Sequence, residues 1–244
     1  MHSVSFAAVP RKFLTKSACF AMAAIAILCN AAQATPACSR ATPVKARCEI
    51  ALNMLRPTQP SVGMMRVEER AAKMKGETNF AQYTSRRPLP VVRGPDGDFY
   101  LTDGHHLANV LVRSGGRTAT VEVIGRFDNP RTFWKEMQTR HWVYLFDAKG
   151  NPIRPSALPK RISDLADDPY RALASYAEDA GYFRKTDAYF MEFAWARYFG
   201  MKMNWQPIDR LNLLSALQAA EKLACQPDAR DLPGYAGPCR TTGQ

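Results

Sequence analysis

Apolar and polar positions along this chain follow two rhythms, and the change between them falls near its middle. In the first part, short apolar runs are bounded by turn residues. Leu89 to Val92 and Phe99 to Thr102 flank Gly94-Pro95-Asp96-Gly97, and Pro-Asp-Gly chemistry suits a tight turn, so the runs read as a hairpin. Thr118 to Val123 alternates small polar and apolar residues with the period of two expected of a strand. Helical spacing follows Ser61, with Val62, Met65, Ala72 and Met74 recurring before a stop at Gly76. A second helix is predicted over Leu107 to Val112, ended by Ser114-Gly115-Gly116. Asn129-Pro130 has the form of a cap and first-turn proline, opening a helix over Arg131 to Trp142 with His141 near its end. Asn79 to Arg87 reads as a polar loop, Val143 to Phe146 as a short strand, and Asp147 to Pro159 as a turn-rich linker.

The second part is helical throughout. Asp168-Pro169 repeats the cap-and-proline start, and the helix it opens ends at Gly181. Aromatic residues crowd Tyr182 to Trp205 at helical spacing with interleaved charges, which predicts a packed core rather than a base-stacking surface. Pro207 is expected to open a last helix with Leu211, Leu214, Leu217 and Ala224 on its buried side. The fold class is therefore α+β: a small mixed sheet with helices over residues 48–147, then an all-helical extension over 156–244.

Composition changes this picture in three ways. The first 34 residues read as an export signal, with Arg11, Lys12 and Lys16 before an apolar run and a small-x-small site at Ala32-Gln33-Ala34. That run is shorter than the roughly 20 residues a membrane span needs, so no stable membrane anchor is expected and the mature chain is placed in the periplasm or outside the cell. The formal net charge of +11 falls to +8 without that leader, which suits an anionic partner, although the charge is scattered. Cys38, Cys48, Cys225 and Cys239 remain, an even number near the two ends, and this argues for disulfides in any of three connectivities. No CxxC knuckle or catalytic thiol is indicated.

Candidate chemistry concentrates at Asp103-Gly104-His105-His106, between the second hairpin strand and the helix that follows. Glycine permits a sharp turn and a close ligand approach, and the unpaired amides of a helix start form an anion site. Imidazoles at that positive end lean neutral, which suits a base or a metal ligand. Adjacent helical residues diverge by about 100°, so one ring is expected to face the cleft and the other the interior. Asp103 is a further catalytic candidate, with a helix-capping role as the plainer alternative. Glu68 is a candidate base on the preceding helix, where a solvated acid is the alternative. Arg87 is a candidate phosphate contact beside the hairpin. His141 lacks HxH or HExxH spacing and reads as a helix-end residue.

These residues carry a resemblance. The order Gln59, Val62-Gly63, Val67, the hairpin and DGHH is similar to the ParB/sulfiredoxin superfamily, and more narrowly to its exported ParB-like nuclease group, as is the closing DLPGYAGPC. The resemblance covers Cys48 to Phe146 and implies a sulfiredoxin-like fold whose strand-glycine-helix junction approaches phosphate, giving Gly104, His105, His106 and Arg87 phosphate-binding roles. Sulfiredoxin chemistry needs a cysteine where His105 stands, and this excludes that reaction. Partition proteins place arginines where this chain has His105, His106 and Leu107. The resemblance implies phosphodiester hydrolysis with His105 or His106 as general base or ligand of a divalent metal, and nucleic acid or another phosphate-bearing ligand as partner. A small-molecule phosphotransferase and a non-catalytic periplasmic binding protein are the alternatives.

Overall fold

The computed structural model describes residues 35–74, 76 and 80–239, and the expected export signal lies outside them. Two β-layers of unequal size organise these residues. The larger sheet has five strands in the order β1-β6-β4-β5-β2: β1 (Arg47–Ala51), β2 (Leu55–Arg56), β4 (Leu89–Arg93), β5 (Phe99–Leu101) and β6 (Thr118–Arg126). It is mixed. β4 pairs antiparallel with β5 through the expected hairpin and parallel with β6, where a bulge falls between Val91 and Val92. In the hairpin turn, Gly97 takes φ 88° and returns its amide to the Gly94 carbonyl at 3.0 Å, a backbone conformation that glycine adopts at little cost.

The smaller sheet joins the two parts of the chain. β3 (Ser61–Val62) pairs parallel with β7 (Ala166–Asp167), and Gly63 sits so close to Ala172 that an added Cβ would lie 2.6 Å from its Cα. The predicted line between residues 147 and 156 is thus crossed by backbone pairing and by tight packing.

Seven α-helices are seen among the described residues: α1 (Met64–Lys73), α2 (Phe80–Arg86), α3 (His105–Arg113), α4 (Phe133–Thr139), α5 (Pro169–Asp179), α6 (Met191–Lys202) and α7 (Leu213–Ala224). Val67 of α1 and Ala108, Val110 and Leu111 of α3 cover the sheet residues Val91, Leu101 and Val121 to form one core. A second core lies in the helical part, where Trp195 stacks on Phe183 at 4.2 Å between ring centroids and packs against Phe199. The aromatic crowding is therefore core, as its spacing predicts, apart from Tyr189, which is 65% exposed. α5 starts as expected: the Asp168 carboxylate accepts the Arg171 amide at 2.9 Å and Pro169 occupies the first turn.

Four local expectations are corrected. Residues 80–86 form α2 rather than loop, because buried Thr84 docks this polar helix onto β6 by accepting the Thr120 amide at 2.8 Å. Val143 to Phe146 is not a strand: the Tyr144 amide goes to the Thr58 carbonyl, and the segment forms a bridge between Phe146 and Pro152 rather than a ladder. α4 begins at Phe133 and leaves His141 beyond its end in the left-handed region, φ 55°. α7 begins at Leu213 because Asp209 and Asn212 satisfy each other's amides in a tight turn. The buried stripe of α7 is then Ala216, Ala220 and Ala224, while Leu211 and Leu214 are exposed. Small residues let α7 approach α5 closely, which leucines would prevent.

Two disulfides form, Cys38–Cys48 and Cys225–Cys239, the local pairing among the three possibilities. They fit an oxidising, extracytoplasmic setting. Among the described residues, no helix is long and apolar enough to cross a membrane.

The α7 assignment is checked by unfolding with the disulfides intact. Ala220→Leu is expected to cost about 1–3 kcal/mol by overpacking, whereas Leu214→Ala stays within about 0.5 kcal/mol of the parent. The opposite order would restore the leucine face as the buried one.

Candidate functional site

The turn from β5 into α3 is made at Gly104, φ 81°, which serves as the N-cap. An added Cβ there would lie 2.7 Å from Leu89 Cδ2, so both backbone and packing demand glycine. Asp103 does not cap the helix. It accepts the Gly104 amide at 2.6 Å and is otherwise exposed. No backbone hydrogen bond engages the amides of His105, His106 and Leu107 among the described residues. The helix therefore presents three unpaired N–H groups and the positive end of its dipole.

Both imidazoles are engaged, and by the same kind of partner. His105 is buried, and its Nε2 accepts the Thr58 amide at 3.0 Å. The Thr58 hydroxyl also lies 3.3 Å from this nitrogen but donates to the Leu101 carbonyl at 2.6 Å. His106 Nε2 accepts the Gly63 amide at 3.0 Å. A neutral ring that accepts at Nε2 carries its proton at Nδ1, so neither ring of this cleft-lining pair is free to act as a base through Nε2. Burial drives both rings toward the neutral form, His105 down to about 3 and His106 well below its ordinary value, the latter helped by the nearby Arg171 cation. The expected division into one ring facing the cleft and one facing inward is softened: His105 is the more buried, yet both touch the cleft.

This cleft has a volume of about 690 Å³ and lies between the DGHH junction and the helical part. Its cations are Arg66, Arg70, Arg171 and Lys185. Arg171 is 8% exposed and pairs with Glu192 at 3.4 Å, while its Nε is buried without a hydrogen-bond partner. Arg66 pairs with Glu69 and Asp179, and Lys185 with Glu178. His141 lines the rim and stacks on Tyr189.

Two candidates are not brought to the site. Glu68 is a surface acid bonded to Arg210 at 2.8 Å and does not line the cleft. Arg87 is exposed just past α2 and is likewise absent from the lining. The basic residues that do line it come from α1, α5 and the loop before α6, and Arg171 was missed because nothing in its local sequence separates it from other helical arginines. A divalent metal also lacks a ready donor set: among the described residues no three His, Cys, Asp or Glu side chains are placed to hold one. Both imidazoles of the DGHH motif have given up the Nε2 lone pair a metal would use.

Comparison with known proteins settles the family. The family model described as "Putative ParB-like nuclease" matches residues 48–201. The chain belongs to the ParB-like nuclease family. Protein Atu1540 from Agrobacterium tumefaciens, known as a crystal structure, is similar at 36% identity and a TM-score of 0.68, over 78% of this chain and 98% of that one. No curated protein matches. The ParB-like region runs past the sheet through α5 and nearly to the end of α6, so it includes the Arg171 side of the cleft.

The histidine geometry has a pH consequence. An unfolded histidine takes up a proton near pH 6.5 that folded His105 refuses until about 3. Its contribution is complete above 6.5 and is lost as pH falls through that window. Asp168, pushed up to about 6 by burial, acts in the opposite sense, its contribution fading as pH rises through 6. His105→Gln can accept the Thr58 amide without titrating. Its stability relative to the parent should gain about 1.4 kcal/mol for each pH unit below 6.5. Urea unfolding of both proteins between pH 7 and 5 measures this, and parallel slopes would refute it.

Proposed function

We propose that this protein is an exported nuclease that holds a phosphate of its substrate over the first turn of α3 and hydrolyses the phosphodiester with water activated by Asp103. The observation that carries this reading is that both DGHH imidazoles spend Nε2 on backbone amides. They are thereby donors to an anion. Asp103 is the candidate base at the junction whose second carboxylate oxygen has no hydrogen bond among the described residues.

In this reading the free amides of His105, His106 and Leu107, the Nδ1 protons and Arg171 Nε converge on the phosphate oxygens, where charge grows as the nucleophile adds. Asp103 takes a proton from water, the resulting hydroxide forms the new P–O bond, and the bond to the leaving oxygen breaks, that oxygen being protonated by solvent. Glu68 and Arg87 have no part in it. Export is supported by the two disulfides and by the leader pattern.

The test uses the chain from Thr35 onward, with single-stranded and plasmid DNA, in EDTA and with added magnesium or manganese. Asp103→Asn is expected to lower kcat about 10²- to 10⁴-fold with KM little changed, the range for a lost general base. Arg171→Gln should raise KM, and His106→Gln, which keeps an acceptor for the Gly63 amide, should retain most activity. Undigested DNA under every condition overturns the nuclease reading, and full activity in Asp103→Asn removes Asp103 from it. Phosphate binding without cleavage would leave a binding protein.

A further inference from the structure

Outside the phosphate-facing end of the cleft, its rim carries an arrangement that the hydrolytic reading does not use. His141 and Tyr189 stack face to face, with ring centroids 4.2 Å apart and planes 17° from parallel. They come from different parts of the chain, His141 just past α4 and Tyr189 just before α6, and both line the cleft that holds Gly104, His105 and His106. Tyr189 is 65% exposed although it lies amid buried aromatics, so its ring adds little to the core.

The stack is held from both sides. His141 itself and Phe190, the neighbour of Tyr189, have left-handed backbones at φ 55° and 56°, a conformation that is costly for a phenylalanine and is concentrated at functional sites. Phe190 is fixed by packing on Tyr144, at 5.1 Å, and on Phe193. Trp142, next to His141, packs against Phe127. The backbone on either side of the rim is therefore anchored, and Tyr189 keeps exposed ring surface among the residues that line the cleft.

Resting on the phosphate-binding reading above, we infer that Tyr189, backed by His141, is a stacking platform for an unpaired nucleobase whose phosphate lies over α3. Base-on-aromatic stacking tolerates any base and requires that the base be free of its duplex partner. A cleft of about 690 Å³ is in the range that takes a small ligand. The platform selects mononucleotides and single strands over paired DNA. Sugar phosphates, which lack a planar base, do not use it.

Isothermal titration of the chain from Thr35 onward tests this with four probes: ribose 5-phosphate, AMP, a short single-stranded DNA, and the same DNA as a duplex. AMP and the single strand are expected to bind more tightly than ribose 5-phosphate by about 5- to 150-fold, the range for one stacked base. Tyr189→Ala should erase that advantage and leave ribose 5-phosphate binding unchanged, Tyr189→Trp should keep it, and the duplex should respond to neither variant. Equal binding of AMP and ribose 5-phosphate, or an advantage that survives Tyr189→Ala, overturns the platform while the phosphate site stands. Absence of binding by every probe overturns both.

Discussion

Two amide hydrogens, those of Thr58 and Gly63, end on two imidazoles, and the cleft depends on this pairing. The segment between them carries Gln59, Pro60 and the two-residue strand β3. A parallel pair as short as β3–β7 gains little from its own ladder. His105 and His106 tie that segment to the start of α3, while Gly63 closes it against Ala172 of α5. The floor of the cleft is thereby a junction of three elements separated widely in sequence. Neutral imidazoles perform this service because a charged ring has no lone pair with which to accept an amide.

How much of this was legible in the sequence depends on the range of the forces involved. The hairpin, the Asp168-Pro169 start and the helix after DGHH were readable because local turn and capping chemistry determines them. α2 was hidden, since its docking through Thr84 and Thr120 is a tertiary contact that its polar composition does not announce. The face of α7 was misjudged by weighting leucines, whereas the close approach to α5 is decided by alanines at 216, 220 and 224. At the site, the DGHH residues were found because two adjacent histidines after Asp-Gly are an unusual local pattern. Their function as amide acceptors was not legible, because Thr58 and Gly63 lie more than 40 residues away. Arg171 and Tyr189 lay in a stretch whose periodicity says only core.

Charge in the cleft is more balanced than the net charge of the chain suggests. Arg66, Arg171 and Lys185 each face a carboxylate, from Asp179, Glu192 and Glu178 respectively. An entering anion must therefore compete with resident carboxylates for cations, which limits the attraction of any one salt-exposed charge. The amides of His105, His106 and Leu107 are bonded to no carboxylate among the described residues, and they are fixed in direction by the backbone. Recognition at such a site favours a group with several oxygens in a set geometry over charge alone.

The segment that follows α7 braces one wall of the cleft. Arg184 donates its amide to the Gly234 carbonyl at 2.7 Å, Phe183 bridges to Tyr235, and Trp195 donates to the Pro233 carbonyl. The Cys225–Cys239 bond closes this tail back onto the end of α7. The loop that leads to Tyr189 and α6 is thus buttressed by the segment that follows α7. The brace reaches back about 50 residues along the chain, and the disulfide shortens the loop that must be closed to hold it. A covalent bond outside the cleft lining therefore helps to hold the wall that carries Tyr189, and its reduction would loosen that wall without altering a lining side chain.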